Sequence, residues 1–142
     1  MKYFLITVFL GFFTSVSYSQ EHETEDFLVI QNQKIPLGVL IKEISKTLPQ
    51  TIDKNTKWVS VKKGIEKKSI VYNYLITSMG KEDFSESGVQ MLKEEQTPFL
   101  QNYYCTQPGF IPLRENNIKL EHNYSGKNNK YLFSIFTENS DC

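Results

Sequence analysis

Asp53, Tyr72, Tyr74 and His122 are the side chains whose types and settings could serve a ligand. His122 stands on a predicted strand face beside Leu120 and Tyr124, and an imidazole there could exchange a proton near neutral pH. On such a face packing or solvent exposure is the expected role. Asp53 and Thr56 lie in a polar stretch between a predicted helix and a predicted strand. They could contact a ligand, but an Asx or ST turn is the expected use. Tyr72 and Tyr74 share a strand face; turned outward, they would join apolar area to a polar tip and form a binding surface.

Other chemistries lack their residues. The second histidine, His22, falls in an acidic N-terminal stretch, so the two histidines give no metal-ligand spacing. The sequence holds no G-x-S-x-G, no glycine-rich phosphate loop and no H-E-x-x-H. Adjacent acids at Glu82-Asp83 and Glu94-Glu95 are expected to be helix-dipole partners or solvated surface. A glycosidase would need two carboxylates converging in a cleft, which no spacing here dictates. No catalytic residue, cofactor or metal site is assigned.

The elements that must hold these side chains follow from periodicity. Leu37, Leu40, Ile41, Ile44 and Leu48 form one apolar stripe, predicting a helix over 36–48 with Pro36 in its first turn and Pro49 ending it. Phe27 to Ile30 reads as an edge strand or the entry to that helix, and Thr51 to Thr56 as a polar connection. Alternation over Trp58–Lys62 and Ser69–Thr77, around a turn at Gly64–Lys68, predicts a hairpin. Val59 and Val61 would share one face of its first strand, Trp58 and Ser60 the other.

Helical spacing returns from Phe84 to Cys105, with Thr97-Pro98 predicting a kink or two segments. Thr106 to Asn117 reads as a loop with one helical turn. A last hairpin pairs Ile118–Tyr124 with a return strand carrying Tyr131, Phe133 and Ile135 on one face. The order α-β-β-α-β-β predicts an α+β domain: a four-stranded antiparallel sheet of two hairpins, with two helices packed on one face.

The N-terminus is read as an export signal. Lys2 supplies the positive charge, Tyr3 to Phe13 an apolar stretch too short to span a bilayer comfortably, and Ser17-Tyr18-Ser19 small residues before a cleavage site near Ser19. The expected organisation is a signal peptide over 1–19, a disordered acidic leader over 20–26 and one domain over 27–142. No cysteine precedes Cys105, which argues against lipidation, and no later run predicts a membrane span in the mature chain. The expected location is periplasmic or secreted. In that oxidising setting Cys105 and Cys142 have one intramolecular pairing open to them, expected to contribute roughly 3–4 kcal/mol as a structural disulfide.

Charge narrows the partners. The whole chain carries 16 basic and 16 acidic residues, a balance that argues against nucleic acid. The one basic cluster, Lys62, Lys63, Lys67 and Lys68, flanks Gly64 and is expected to be a solvated hairpin turn.

The segment LPQTIDKNT at Leu48–Thr56, the strand motif Tyr72-Asn73-Tyr74, the run Asn102-Tyr103-Tyr104-Cys105 and a closing hairpin ending in cysteine carry a resemblance. Over about residues 40–142 the chain resembles a group of small exported bacterial proteins of unassigned function, marked by LP-x-x-(I/V)D-x-x-T, a YxY strand, and a mid-chain and a terminal cysteine. The likeness implies export and a disulfide and brings no catalytic residues. Phe27–Ile52 is also similar to the strand–helix opening of the short N-terminal domain of secretins and TonB-dependent receptors, departing from it at Thr47-Leu48-Pro49. The expected function is a non-enzymatic module that binds another exported protein, as an inhibitor, immunity or envelope-assembly factor. The alternative is a small periplasmic enzyme or ligand-binding protein using a sheet–helix cleft with Asp53, His122 and the tyrosines.

Overall fold

In the computed structural model, residues 26–142 are described. The expected signal peptide over 1–19 and residues 20–25 of the expected leader lie outside them. The chain opens with a hairpin of β1 (Phe27–Ile30) and β2 (Gln33–Pro36). Its two-residue turn puts Gln31 and Asn32 at φ of 50° and 64°, the left-handed pair that tight hairpins need and asparagine tolerates. Helix α1 (Leu37–Ser45) follows directly. Pro36 therefore ends a strand instead of opening the first helical turn, and the helix stops short of Pro49. The apolar stripe is nonetheless used: Leu37, Leu40 and Ile44 are buried.

The main sheet has five strands in the order β3-β4-β5-β6-β7: β3 (Gln50–Asp53), β4 (Thr56–Lys63), β5 (Ser69–Ile76), β6 (Lys119–Ser125) and β7 (Tyr131–Thr137). Four antiparallel strands with two helices was the expectation; the separate β1–β2 sheet already departs from it, and the structure corrects it on three further points. First, Gln50–Asp53 pairs with β4 as an edge strand; with Ile52 its one apolar residue, it reads as loop. Second, β5 and β6 pair parallel, from Ser69↔Lys119 to Leu75↔Ser125. The reason is the helix between them: α2 (Glu86–Thr106) carries the chain back along the sheet by about 30 Å, so β6 starts at the end where β5 started. Third, a further helix, α3 (Ile111–Glu115), lies in the stretch before β6.

Two irregularities reset which side chains face inward. A shift between Trp58 and Ser60 lets Trp58 and Val61 both point into the core, against the simple alternation expected of this strand. Another, between Tyr131 and Phe133, buries both Leu132 and Phe133 and leaves Tyr131 on the open side, bonded to Ser134.

Helix α2 runs continuously through Pro98, where two segments were one of the expected outcomes. Ser85 caps its start by accepting the Gly88 N–H, and the Thr97 hydroxyl donates to the Lys93 carbonyl just ahead of the proline. Arg114 closes its other end by donating to the Tyr104 and Gln107 carbonyls.

One core joins Leu37, Leu40 and Ile44 of α1 and Tyr104 of α2 to Trp58, Val61, Ile70, Tyr72 and Leu120 of the sheet. A second joins Leu100 to Ile76, Tyr124, Phe133 and Ile135. Both long helices thus cover the same sheet face. The Cys105–Cys142 disulfide, with Cα atoms 5.4 Å apart, ties the end of α2 to the segment after β7. Among the described residues no helix is long and apolar enough to cross a membrane.

Candidate functional site

The parallel pairing of β5 with β6 sets Tyr72 opposite His122 and Tyr74 opposite Tyr124. On the covered face this builds a row of rings. Trp58 packs on Tyr72 with centroids 4.6 Å apart, Tyr74 stacks on Tyr124 at 4.9 Å, and Tyr124 stacks on Phe133 at 4.7 Å. His122 sits within the row, edge-on to Tyr72 and stacked against Tyr74. Its Nδ1 is 3.2 Å from the Tyr74 hydroxyl and its Nε2 3.2 Å from the Thr137 hydroxyl. A neutral imidazole satisfies both contacts, one ring nitrogen donating and the other accepting.

Burial decides the charge state. No carboxylate bonds to His122, and desolvation lowers its pKa from 6.5 to about 3. Burial also pushes Tyr72 and Tyr74 well above the usual phenol range, and Tyr124 to about 12, where Asp53 adds to the effect. Near neutral pH burial therefore favours the uncharged form of each of these groups.

Of the four sequence candidates, the structure brings three together. Tyr72 and His122 are buried, and Tyr74 between them is half-buried. Asp53 is exposed at the β3–β4 turn, where its Oδ1 accepts the Asn55 N–H at 2.8 Å, an Asx turn, and its charge reaches the row only at Tyr124. The acidic pair before α2 is engaged within the fold: Asp83 accepts the nearby Gly80 N–H, and Glu82 accepts from the amide of the distant Asn128. Among the described residues no cluster of three His, Cys, Asp or Glu is placed to hold a metal.

The other face of the sheet holds a feature that the sequence reading missed. Ser60, Asn73, Asn123 and Ser134 lie at matched register positions on β4, β5, β6 and β7. The Asn73 amide donates to Ser60 Oγ at 2.9 Å, the Asn123 amide to Asn73 Oδ1 at 3.5 Å, and the Ser134 hydroxyl to Asn123 Oδ1. Tyr131 OH lies 2.9 Å from Ser134 Oγ and, since that serine's proton is committed, donates to it. Every member donates in the same direction across four strands, so the bonds polarise one another. The Ser60 hydroxyl proton at the end of the row remains to be offered. Tyr131 and Phe136 stand exposed beside the row, with Val59 on β4. The one signal in the sequence was polar residues at alternate positions of apolar strands, but only the strand order lines them up.

No family model matches the sequence, and no curated protein matches it. In structure the chain is similar to a candidate secreted protein of Pseudomonas aeruginosa, with a TM-score of 0.58 and 14% identity, covering 75% of this chain and 88% of that one. At that identity the likeness is one of fold.

Proposed function

We propose that the protein is an exported, non-enzymatic module that binds a partner protein on the open face of its five-stranded sheet. The observation that carries this reading is the polar row Ser60–Asn73–Asn123–Ser134–Tyr131, bordered by the exposed rings of Tyr131 and Phe136. Protein-binding surfaces combine aromatic anchors with oriented hydrogen-bonding groups that need little ordering on contact. Tyr72, Tyr74 and His122 act from the opposite side of β5 and β6: their packing makes those strands rigid and so fixes the row.

Export is supported by the reading of residues 1–19, by the disulfide, which oxidising compartments favour, and by the fold shared with a candidate secreted protein. Of the rival reading, proton transfer at His122 is the part that burial disfavours, since desolvation lowers that imidazole's pKa to about 3.

The test is a pull-down from the exported fraction using wild type, the Asn123→Arg/Phe136→Arg double variant and Phe99→Arg, the last being exposed on α2. A specific partner should be retained by wild type and Phe99→Arg and lost by the double variant, by about tenfold or more. Recovery of no specific partner across several conditions, or equal recovery by the double variant, would sink the proposal.

A further inference from the structure

The β4–β5 hairpin ends in the run Lys62-Lys63-Gly64-Ile65-Glu66-Lys67-Lys68. Ile65 at its apex is fully exposed, at 107%, beyond every other large apolar side chain of the described residues. A fully exposed isoleucine is unremarkable in a slack loop, but this loop is held at several points. The Gly64 N–H donates to the Ser69 carbonyl at 2.9 Å, and the Ser69 hydroxyl to the Glu66 carbonyl at 2.6 Å. The Lys68 N–H donates to the Asp26 carboxylate at 2.7 Å, and the Lys68 carbonyl accepts from the Lys119 N–H at 2.8 Å. The fold thus fixes the base of the tip and presents Ile65 outward.

Among the described residues, charge around the apex has one sign in excess: Lys62, Lys63, Lys67, Lys68 and Lys119 meet two carboxylates, Asp26 beside Lys63 at 3.9 Å and Glu66 beside Lys119 at 3.5 Å. Lys62, Lys67 and Lys68 make no ion pair among the described residues.

We propose that this tip docks on an anionic phospholipid surface, with the lysines among the headgroups and Ile65 inserted between them. A lone apolar apex ringed by ammonium groups matches the chemistry of such a surface, anionic headgroups over an apolar layer. A folded partner protein fits less well, because stable protein contacts bury about 800 Å² on each side and a hairpin apex offers far less. The tip meets the proposed protein-binding face where the Lys119 ammonium lies 4.7 Å over the Phe136 ring; the variants at Lys62, Ile65 and Lys67 leave that contact in place, so either proposal can fail without the other.

Flotation with vesicles of phosphatidylcholine, with and without phosphatidylglycerol, tests this on the chain freed of residues 1–19. Wild type should float with the anionic vesicles at low salt and not with pure phosphatidylcholine. Each lysine near an anionic surface is worth about fivefold in affinity, so Lys62→Glu/Lys67→Glu should weaken binding by more than about tenfold. Ile65→Ser should also weaken it, and Ile65→Trp should show a blue-shifted emission on anionic vesicles, while Trp58, already buried, contributes a constant background. Lys62, Ile65 and Lys67 are all exposed, so circular dichroism of the variants should match wild type. Failure of wild type to float, or undiminished binding by Ile65→Ser, overturns the proposal. So does binding to a soluble polyanion such as heparin that depends on the lysines but not on Ile65.

Discussion

His122 shows what one residue's setting does to its chemistry. A histidine near neutral pH is a proton exchanger by default, yet here burial among Tyr72, Tyr74 and Thr137 holds it neutral down to about pH 3. In the unfolded chain the same ring takes up a proton below about 6.5. Between those values the unfolded state binds more protons, so stability falls as pH drops, by about 1.4 kcal/mol per unit. Unfolding free energies from denaturant titrations at pH 7 and pH 5 should therefore differ by about 2 kcal/mol through this residue alone, and His122→Gln should remove that part of the difference. Identical pH slopes for variant and wild type would refute the assignment. The sequence was legible here as far as a packed strand histidine beside Leu120 and Tyr124. Its partners were not, because Tyr74 is 48 positions away and meets it only through the parallel pairing. Asp53 was legible in full, since an Asx turn is made by the residue and its near neighbours.

Elements were legible where local periodicity decided them and illegible where a contact from far along the chain did. The stripe Leu37–Leu40–Ile44 is a helix because its own spacing buries one side. The β1 strand is held from a distance: Asn116 Oδ1 accepts the Val29 N–H at 2.8 Å and its Nδ2 donates to the Val29 carbonyl at 3.1 Å, as a neighbouring strand would. Nothing in the spacing of residues 27–30 announces that clamp. Asn116→Ala should cost about 1–3 kcal/mol and speed amide exchange at Val29; unchanged exchange there would show that the hairpin does not depend on the clamp. The acidic leader can be divided in the same way. Asp26 holds the Lys68 N–H, and its backbone carbonyl accepts the Leu37 N–H, so it links the start of the domain to the β4–β5 tip. Asp26→Ala should cost about 1.5–3 kcal/mol. Deletion of residues 20–25 should leave the melting temperature where it was, and a large drop would reassign those residues to the fold.

At the scale of the whole molecule, the sheet is two antiparallel halves, β3-β4-β5 and β6-β7, joined by the parallel contact of β5 with β6. Each half was readable as hairpin signals in the sequence, apart from the weakly apolar β3. The join was not, because it depends on where α2 delivers the chain and not on any residue within β5 or β6. The disulfide stabilises this arrangement by linking positions 37 apart, one on α2 and one after β7. The oxidised chain should weigh two protons less than the dithiol, and reduction or Cys105→Ser/Cys142→Ser should lower stability by roughly 3–4 kcal/mol; an unchanged unfolding midpoint would count against that role. The parallel contact also sets an order of events in folding. Hairpins close over a few residues and form within microseconds, whereas pairing β5 with β6 requires the whole segment from Thr77 to Ile118 to be looped back first. The aromatic row around His122 lies on that contact, so it should be the last part of the core to be sealed, and its completion should set the folding rate of the chain.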